Sequence, residues 1–261
     1  MSYSVNASIL LTEVPLLERP AAVARHGFTR AEFWWPFPTA TPAPEEVDAF
    51  VRSLREAGVR LTGLNLFAGD MPGGERGILS HPGRAAEFRA GVESLVRVAR
   101  ATGCRGFNAL YGTRFSGCTP REQDDAAVEN LRFAARAVAP FGGVVLVEPL
   151  SGAPRYPLRT AADVMTVIER VDRENVKLLA DFYHLAVNGE DVDALIERHA
   201  GDFAHIQIAD APGRHEPGTG ELPLHRWVAR ARELGYTGPV SLEYASSQDD
   251  PFAWLPREQR G

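Results

Sequence analysis

Four residues in the second half of the chain share one local setting, an oxygen-bearing side chain that closes a short apolar run. Val144-Val145-Leu146-Val147 ends in Glu148 and Pro149, and Val176-Lys177-Leu178-Leu179-Ala180 ends in Asp181. Phe203-Ala204-His205-Ile206 runs into Gln207, and Pro239-Val240-Ser241-Leu242 ends in Glu243. These four offer only oxygen donors and up to three negative charges, the ligand set of a hard divalent cation such as Mg²⁺ or Mn²⁺; a zinc site would want more His or Cys. A divalent ion that chelates a carbonyl and the neighbouring hydroxyl oxygen stabilises an enediolate by Lewis acidity. A carboxylate on each face can then move a proton between adjacent carbons, a contribution of about a hundred- to ten-thousand-fold in rate. Strand ends are polar in any barrel because solvent begins there, so the weight lies in the recurrence on consecutive strands.

Those runs must be held so that their ends converge. The run before Glu148, opened by Gly142 and Gly143, reads as a strand buried on both faces, as in parallel sheets. A carboxylate at its C-terminal end points to the loops where α/β barrels carry their chemistry. Earlier strands are expected over 3–10, 31–35, 59–67 and 106–110, bearing Asn6, Glu32, Asn65 and Asn108 as weaker candidates to line a pocket. Helices are expected over 15–26, 44–57, 84–101, 120–138, 160–171, 191–199 and 222–234. The second opens with Pro44-Glu45-Glu46, suited to a first turn, and buries Val47, Phe50, Val51, Leu54 and Ala57. In the fourth, Ala126, Leu131, Ala134, Ala135 and Val138 are expected on the inner side.

Strand and helix alternating through eight units predict an α/β fold closed into a single (β/α)8 barrel, the TIM-barrel architecture. An open doubly wound sheet would carry a GxGxxG turn after its first strand, where this chain reads Leu10-Leu11-Thr12-Glu13. The long Gly-rich loop 68–83 is of the kind more often functional than decorative. The segment 251–261 is short for a final helix and is expected to pack over the barrel bottom or against a neighbour.

A chain of 261 residues with 44% hydrophobic content matches the about 250 residues of one such barrel, so a single domain over 1–261 is the economical reading. The net charge of −6, with no run of Lys or Arg, disfavours nucleic acid and anionic membranes as partners. Cys104 and Cys118 form no CxxC pair and are expected as reduced thiols. No stretch approaches the about 18 apolar residues of a membrane span, and the start of the chain does not read as a secretory signal; a cytoplasmic location is expected.

Seven blocks, in order and across nearly the whole chain, carry a resemblance. They are Asn65-Leu66-Phe67-Ala68-Gly69-Asp70; Gly74-Glu75-Arg76-Gly77 with Pro82-Gly83-Arg84; Glu148-Pro149; Asp181-Phe182-Tyr183-His184; His205-Ile206-Gln207-Ile208-Ala209-Asp210; Glu216-Pro217-Gly218-Thr219-Gly220-Glu221; and Glu243-Tyr244. The chain resembles the hydroxypyruvate isomerase family, within the xylose isomerase-like barrels that also contain ketose 3-epimerases and endonuclease IV. The blocks around Gln207 and Glu216 are specific, and the lone Glu-Pro is not.

The resemblance implies metal ligands at Glu148, Asp181, Gln207 and Glu243, with Glu148 and Glu243 doubling as proton donor and acceptor. It implies that His184 borders a sugar-like substrate; the plainer alternative is a hydrogen-bonded His filling the barrel mouth. His205 lies two residues before Gln207, on the same side of its strand, and either contacts a ligand or supports one that does. Arg214 is a candidate carboxylate clamp or one half of a surface ion pair with Asp210, and Arg76 is the second candidate clamp.

Leu150-Ser151 after Glu148-Pro149, and Leu185 to Gly189 after His184, depart from the Ile-Asn and Gln-Arg segments common in the family, which puts the substrate in question. The leading expectation is a metal-dependent aldose–ketose type isomerase interconverting hydroxypyruvate and 2-hydroxy-3-oxopropanoate. Isomerisation of a four-carbon 2-oxo acid or epimerisation of a ketose is the near alternative. A repair endonuclease, which needs a His-rich three-zinc cluster and a basic face, and a non-catalytic ligand-binding barrel are the remoter ones. Oligomeric state is left open.

Overall fold

The computed structural model describes residues 3–261. Eight strands pair in parallel in chain order: β1 (Tyr3–Asn6), β2 (Arg30–Phe33), β3 (Arg60–Asn65), β4 (Gly106–Asn108), β5 (Val144–Val147), β6 (Val176–Asp181), β7 (Phe203–Ile208) and β8 (Val240–Leu242). Strand β8 returns to β1, with Val240 opposite Tyr3 and Leu242 opposite Val5, so the barrel is closed. The helices are α1 (Ala7–Leu10), α2 (Arg19–Arg25), α3 (Pro44–Glu56), α4 (Ala85–Thr102), α5 (Pro120–Val138), α6 (Ala161–Val171), α7 (Phe182–Val187), α8 (Val192–His199) and α9 (Leu224–Glu233). No helix is long and apolar enough to cross a membrane among the described residues.

Local chemistry explains most of these boundaries. Thr119 and Thr160 each accept a hydrogen bond from the backbone N–H three residues on, while Glu122 and Asp163 reach back to the caps, so α5 and α6 start where two orphaned donors are satisfied at once. On α5 the inward face carries Ala127 rather than Ala126, which is only half-buried. The first strand is shorter than its apolar pattern suggests. Asn6 accepts from the Ser8 N–H at 3.1 Å and turns the chain into α1, so residues 7–10 are helical and not extended.

The closing segment covers the N-terminal end of the barrel. Phe252 is fully buried and packs 4.8 Å from Phe28, while Arg260 donates to the carbonyls of Leu255, Phe252 and His26. His26 lies in the turn that leads into β2, so the tail caps the bottom of the barrel and leaves the other mouth to the long loops.

Inside the barrel the packing is less apolar than the strand composition implies. Ser4, Asn6, Glu32, Asn108, His205, Gln207 and Ser241 are all buried. Such groups are costly where they do not pair, and Ser4, Asn6, Glu32, Asn108 and Gln207 each have a side-chain partner, while the Ser241 hydroxyl has none among the described residues. Ser4 and Thr62 hydroxyls lie 2.6 Å apart, and Glu32 sits in the middle of the network. Gly63 makes room for it: a Cβ there would meet Glu32 Oε2 at 3.0 Å and Glu32 Cβ at 3.1 Å.

Candidate active site

A cavity of about 1060 Å³ opens at the C-terminal mouth, and Glu148, Glu243, His184, Arg214 and Asn65 line its floor with Arg76 on its wall. The acids come from successive strand ends. Asp181 is the last residue of β6 and also the N-cap of α7, where its Oδ1 accepts from the N–H groups of Tyr183 at 2.8 Å and His184 at 3.2 Å. Its Oδ2 has no hydrogen-bond partner among the described residues, yet it is buried, with His184 Nε2 at 3.6 Å and Arg214 Nη2 at 3.5 Å.

Glu148 follows β5 and is clamped at both ends. Its Oε2 accepts from Asn108 Nδ2 at 2.7 Å, and its carbonyl accepts from the Tyr156 hydroxyl, which in turn accepts from the Tyr111 N–H. Glu243 follows β8. Its Oε1 accepts from Asn6 Nδ2 at 2.8 Å and from Trp34 Nε1 at 2.7 Å, while its Oε2 accepts from Arg214 Nη2 at 2.8 Å. Burial, followed by the charges of Glu243 and Asp181, pushes the Glu148 carboxyl well above the usual range. Burial likewise pushes Glu243 up to about 8, with Arg214 pulling the other way and Glu32 and Asp181 adding to the rise.

Gln207, opposite Asp181 in the β6–β7 register, is oriented from below. Its Nε2 donates to Glu32 Oε1 at 2.7 Å, and a carboxylate can only accept, so the Gln207 carbonyl must face away from Glu32. That Oε1 is buried with no partner among the described residues. Glu32 Oε1 also accepts from Asn6 Nδ2 at 2.9 Å, and His205 Nε2 stands 2.7 Å from Glu32 Oε2. Burial works to raise Glu32, but the adjacent imidazole and the donated hydrogen bonds outweigh it and hold the carboxyl below its usual value. Glu32 and His205 therefore lie under the cavity floor, beside a void of about 10 Å³, with Glu32 meeting Gln207 and Asn6 rather than the cavity.

His184 is on α7 with its ring facing the acids. Its Nδ1 accepts from the Ser151 N–H at 3.1 Å, with the Ser151 hydroxyl at 2.7 Å, so the ring proton sits on Nε2. Burial lowers its pKa to about 4, and the ring is neutral. Its Nε2 is 3.9 Å from Glu148 Oε1. Ligand atoms of Glu148, Asp181 and His184 all lie within 4.8 Å of one another, a cluster that could hold a cation, but the protonated Nε2 makes His184 a donor rather than a ligand in this arrangement. The oxygens of Asp181 and Gln207 fit a hard cation better: two buried acceptors without a hydrogen-bond partner among the described residues, on paired strands whose neighbours β5 and β8 lead into Glu148 and Glu243.

Arg214 reaches the acids from the loop between β7 and α9. Its backbone is left-handed (φ 58°), its carbonyl accepts from the Ala245 N–H, and its guanidinium stands 5.4 Å from the Tyr183 ring. Burial disfavours its charge, but Glu243, Asp181 and Glu148 outweigh that and raise its pKa. It does not pair with Asp210. That carboxylate is fully buried and accepts from the N–H groups of Ala211, Gly218 and Leu222. Glu216 then ties the loop to the end of β8 by accepting from Ser246 and Ser247. The Glu216 block thus works by holding Arg214 over the acids.

Sequence reasoning missed three contributors. Trp34 donates its indole N–H to Glu243; Ser151 sets the His184 tautomer; Tyr156 fixes the Glu148 backbone. Trp34 and Ser151 stand just past strand ends, a position that was the available signal, whereas Tyr156 lies further along the loop after β5.

An eight-stranded parallel barrel with buried carboxylates at its C-terminal mouth is the arrangement of a barrel enzyme that works at that mouth. The comparisons agree. The chain belongs to the xylose isomerase-like TIM barrel family, whose pattern it matches over residues 20–260. It is 49% identical to a Streptomyces coelicolor protein provisionally named hydroxypyruvate isomerase, over 99% of this chain and 96% of that one. It is 33% identical to the 2-oxo-tetronate isomerase of Haemophilus influenzae, over 93% and 92%. A solved structure from Brucella melitensis, described as an AP endonuclease of family 2, superposes with a TM-score of 0.87 at 34% identity, covering 97% of each chain. Kinship of this extent with named isomerases makes the chain an isomerase.

Proposed function

We propose that the chain interconverts hydroxypyruvate and 2-hydroxy-3-oxopropanoate, or the corresponding four-carbon 2-oxo acid pair, by proton transfer through an enediolate. The observation that carries this reading is the pair of buried carboxyls, Glu148 and Glu243, at the cavity floor beside two unsatisfied acceptor oxygens. Glu148, Asp181, Gln207 and Glu243 would hold a Mg²⁺ or Mn²⁺ ion, which when bound supplies Lewis acidity toward the substrate's carbonyl and neighbouring hydroxyl.

The chain's own groups do the rest. One glutamate accepts the proton from the hydroxyl-bearing carbon and the other returns a proton to the adjacent carbon, while the proton of the original hydroxyl passes to the former carbonyl oxygen, so no proton is gained or lost overall. Burial raises both carboxyls, so their basicity lies nearer neutrality than that of a solvated glutamate. Asn108 fixes one oxygen of Glu148, and Asn6 and Trp34 fix one of Glu243, so each keeps its aim while it changes charge. His184 Nε2–H and Arg214 offer donors to oxygen that gains charge as the enediolate forms.

Two relatives, one assigned to hydroxypyruvate and one to 2-oxo-tetronate, support acids of three or four carbons. The endonuclease description of the Brucella structure fits poorly here, because the clustered ligand set has one histidine and the net charge is −6.

The test is proton NMR in D₂O with hydroxypyruvate, comparing metal-loaded protein, chelated protein and Glu148→Gln. Metal-dependent isomerisation or deuterium uptake at C3, lost in the variant, is the expected result. Turnover only of the four-carbon acid would move the substrate and leave the site reading intact, and inertness toward both acids would end it.

A further inference from the structure

The cavity floor is crowded with acids, and Arg214 is already committed to two of them, at 2.8 Å from Glu243 and 3.5 Å from Asp181. A substrate that carries its own carboxylate needs a cation free of such partners. The wall of the cavity supplies one. Arg76 lies in the β3–α4 loop, and no carboxylate is within ion-pair distance of it among the described residues. Its acidic neighbour in sequence, Glu75, is taken by Arg84 at 2.7 and 3.0 Å, and Arg84 is shared with Glu87.

The Arg76 side chain is nevertheless held. Its Nη1 donates to the carbonyls of Glu75 at 2.7 Å and Met71 at 3.1 Å, which uses both hydrogens of that nitrogen. Nε and Nη2 have no hydrogen-bond partner among the described residues, and this edge of the guanidinium is the two-donor fork that matches a carboxylate. The loop beneath is braced. Glu75 Oε2 accepts from the Asp70 N–H at 2.6 Å, the Gly77 N–H donates to the Ala68 carbonyl, and Gly77 (φ 104°) lies so close to the next loop that a Cβ would fall 2.0 Å from the Leu110 carbonyl oxygen. A guanidinium pinned by backbone carbonyls on a braced loop loses little side-chain freedom when it binds, the condition under which a charge-assisted pair contributes most to affinity.

We propose that Arg76 is the residue that selects an acid substrate: its Nε–Nη2 edge binds the substrate carboxylate, while Arg214 stays with the acids at the floor. The assignment rests on the isomerase reading above. An anchor on a part of the substrate that does not react binds ground state and transition state alike, so its loss appears in KM and not in kcat.

The experiment is steady-state kinetics on the metal-loaded protein with hydroxypyruvate and with the four-carbon 2-oxo acid, comparing wild type, Arg76→Met and Arg76→Lys. The expected result for Arg76→Met is a KM about 10- to 100-fold higher for the acid that wild type uses, from loss of a charge-assisted hydrogen-bonded pair. Its kcat should stay within about threefold, the sign that the lost binding was uniform. Arg76→Lys should recover part of the KM, because an ammonium keeps the charge but not the fork. An unchanged KM in Arg76→Met, or a fall in kcat together with a lowered melting temperature, would overturn the assignment in favour of a loop-bracing role. If wild type turns over neither acid, the isomerase reading falls and the anchor with it. If wild type turns one over and Arg76→Met equals it, the anchor alone falls.

Discussion

The two halves of the barrel contribute different things to one mouth. Strands β5 to β8 deliver the proposed proton-transfer and metal-binding groups, Glu148, Asp181, Gln207 and Glu243. Strands β1 to β4 and their loops deliver Asn6, Trp34 and Asn108, which donate to those carboxylates, and Glu32, which accepts from Gln207 and Asn6. The first half fixes the direction of the carboxylates and the amide that the second half presents. A buried carboxylate is costly unless its lone pairs are satisfied, and satisfying them with fixed donors also fixes direction.

Removing a second-half group should cost most. Glu243→Gln keeps the shape and removes one of the two proposed proton-transfer carboxylates, and kcat should fall about 100- to 10,000-fold, measured by deuterium uptake at the substrate's C–H. A small loss would mean that Glu243 only holds position and that the division between halves is misdrawn. Glu32→Gln tests the first half. It leaves an amide whose oxygen can still accept from Gln207 and Asn6 but whose NH2 meets His205 in place of Glu32 Oε2, so the support loses its charge and Mn²⁺ affinity by titration calorimetry should drop about 10- to 100-fold, as for other groups that orient ligands. An unchanged affinity would show that the Gln207 carbonyl needs no such support. Trp34→Phe deletes one of three donors to Glu243 and should lower kcat/KM by about tenfold, with the fold unchanged by circular dichroism.

A pH series sharpens the same contrast. Glu148 and Glu243 are both raised in the folded state, so each stabilises the fold fully below its unfolded pKa of about 4.3, and that stability is lost as pH climbs through the folded value, about 8 for Glu243. The melting temperature of chelated protein should therefore decline between about pH 5 and 8. Mn²⁺ should raise it most at the upper end of that range, because metal binding favours deprotonated ligands. Glu32 is shifted the other way, and because its charge adds to the rise at Glu243, Glu32→Gln should make this decline shallower.

The periodic parts of the molecule were legible one strand at a time. Alternating apolar runs and amphipathic stripes demand a parallel sheet wrapped by helices, because only that arrangement covers both faces of such strands. The four polar strand ends followed from the same grammar, since a parallel barrel brings every C-terminal strand end to one mouth. Asn6 shows where the pattern stops. Its short side chain captures a local N–H and ends the strand four residues before the apolar run does, a competition that hydropathy does not register.

The pairings across the barrel belong to the tertiary structure alone. Glu243 meets Asn6 across 237 residues and Trp34 across 209, and Gln207 meets Glu32 across 175, contacts that arise only when the eighth strand closes on the first. Which arginine stays free was settled in the same way. Arg76 and Arg214 are alike as letters in loops, but the fold places one against Glu243 and Asp181 and gives the acid next to the other to Arg84. Residue types determined what chemistry the chain could carry; closure of the barrel decided each side chain's partner, and with it each side chain's charge and direction.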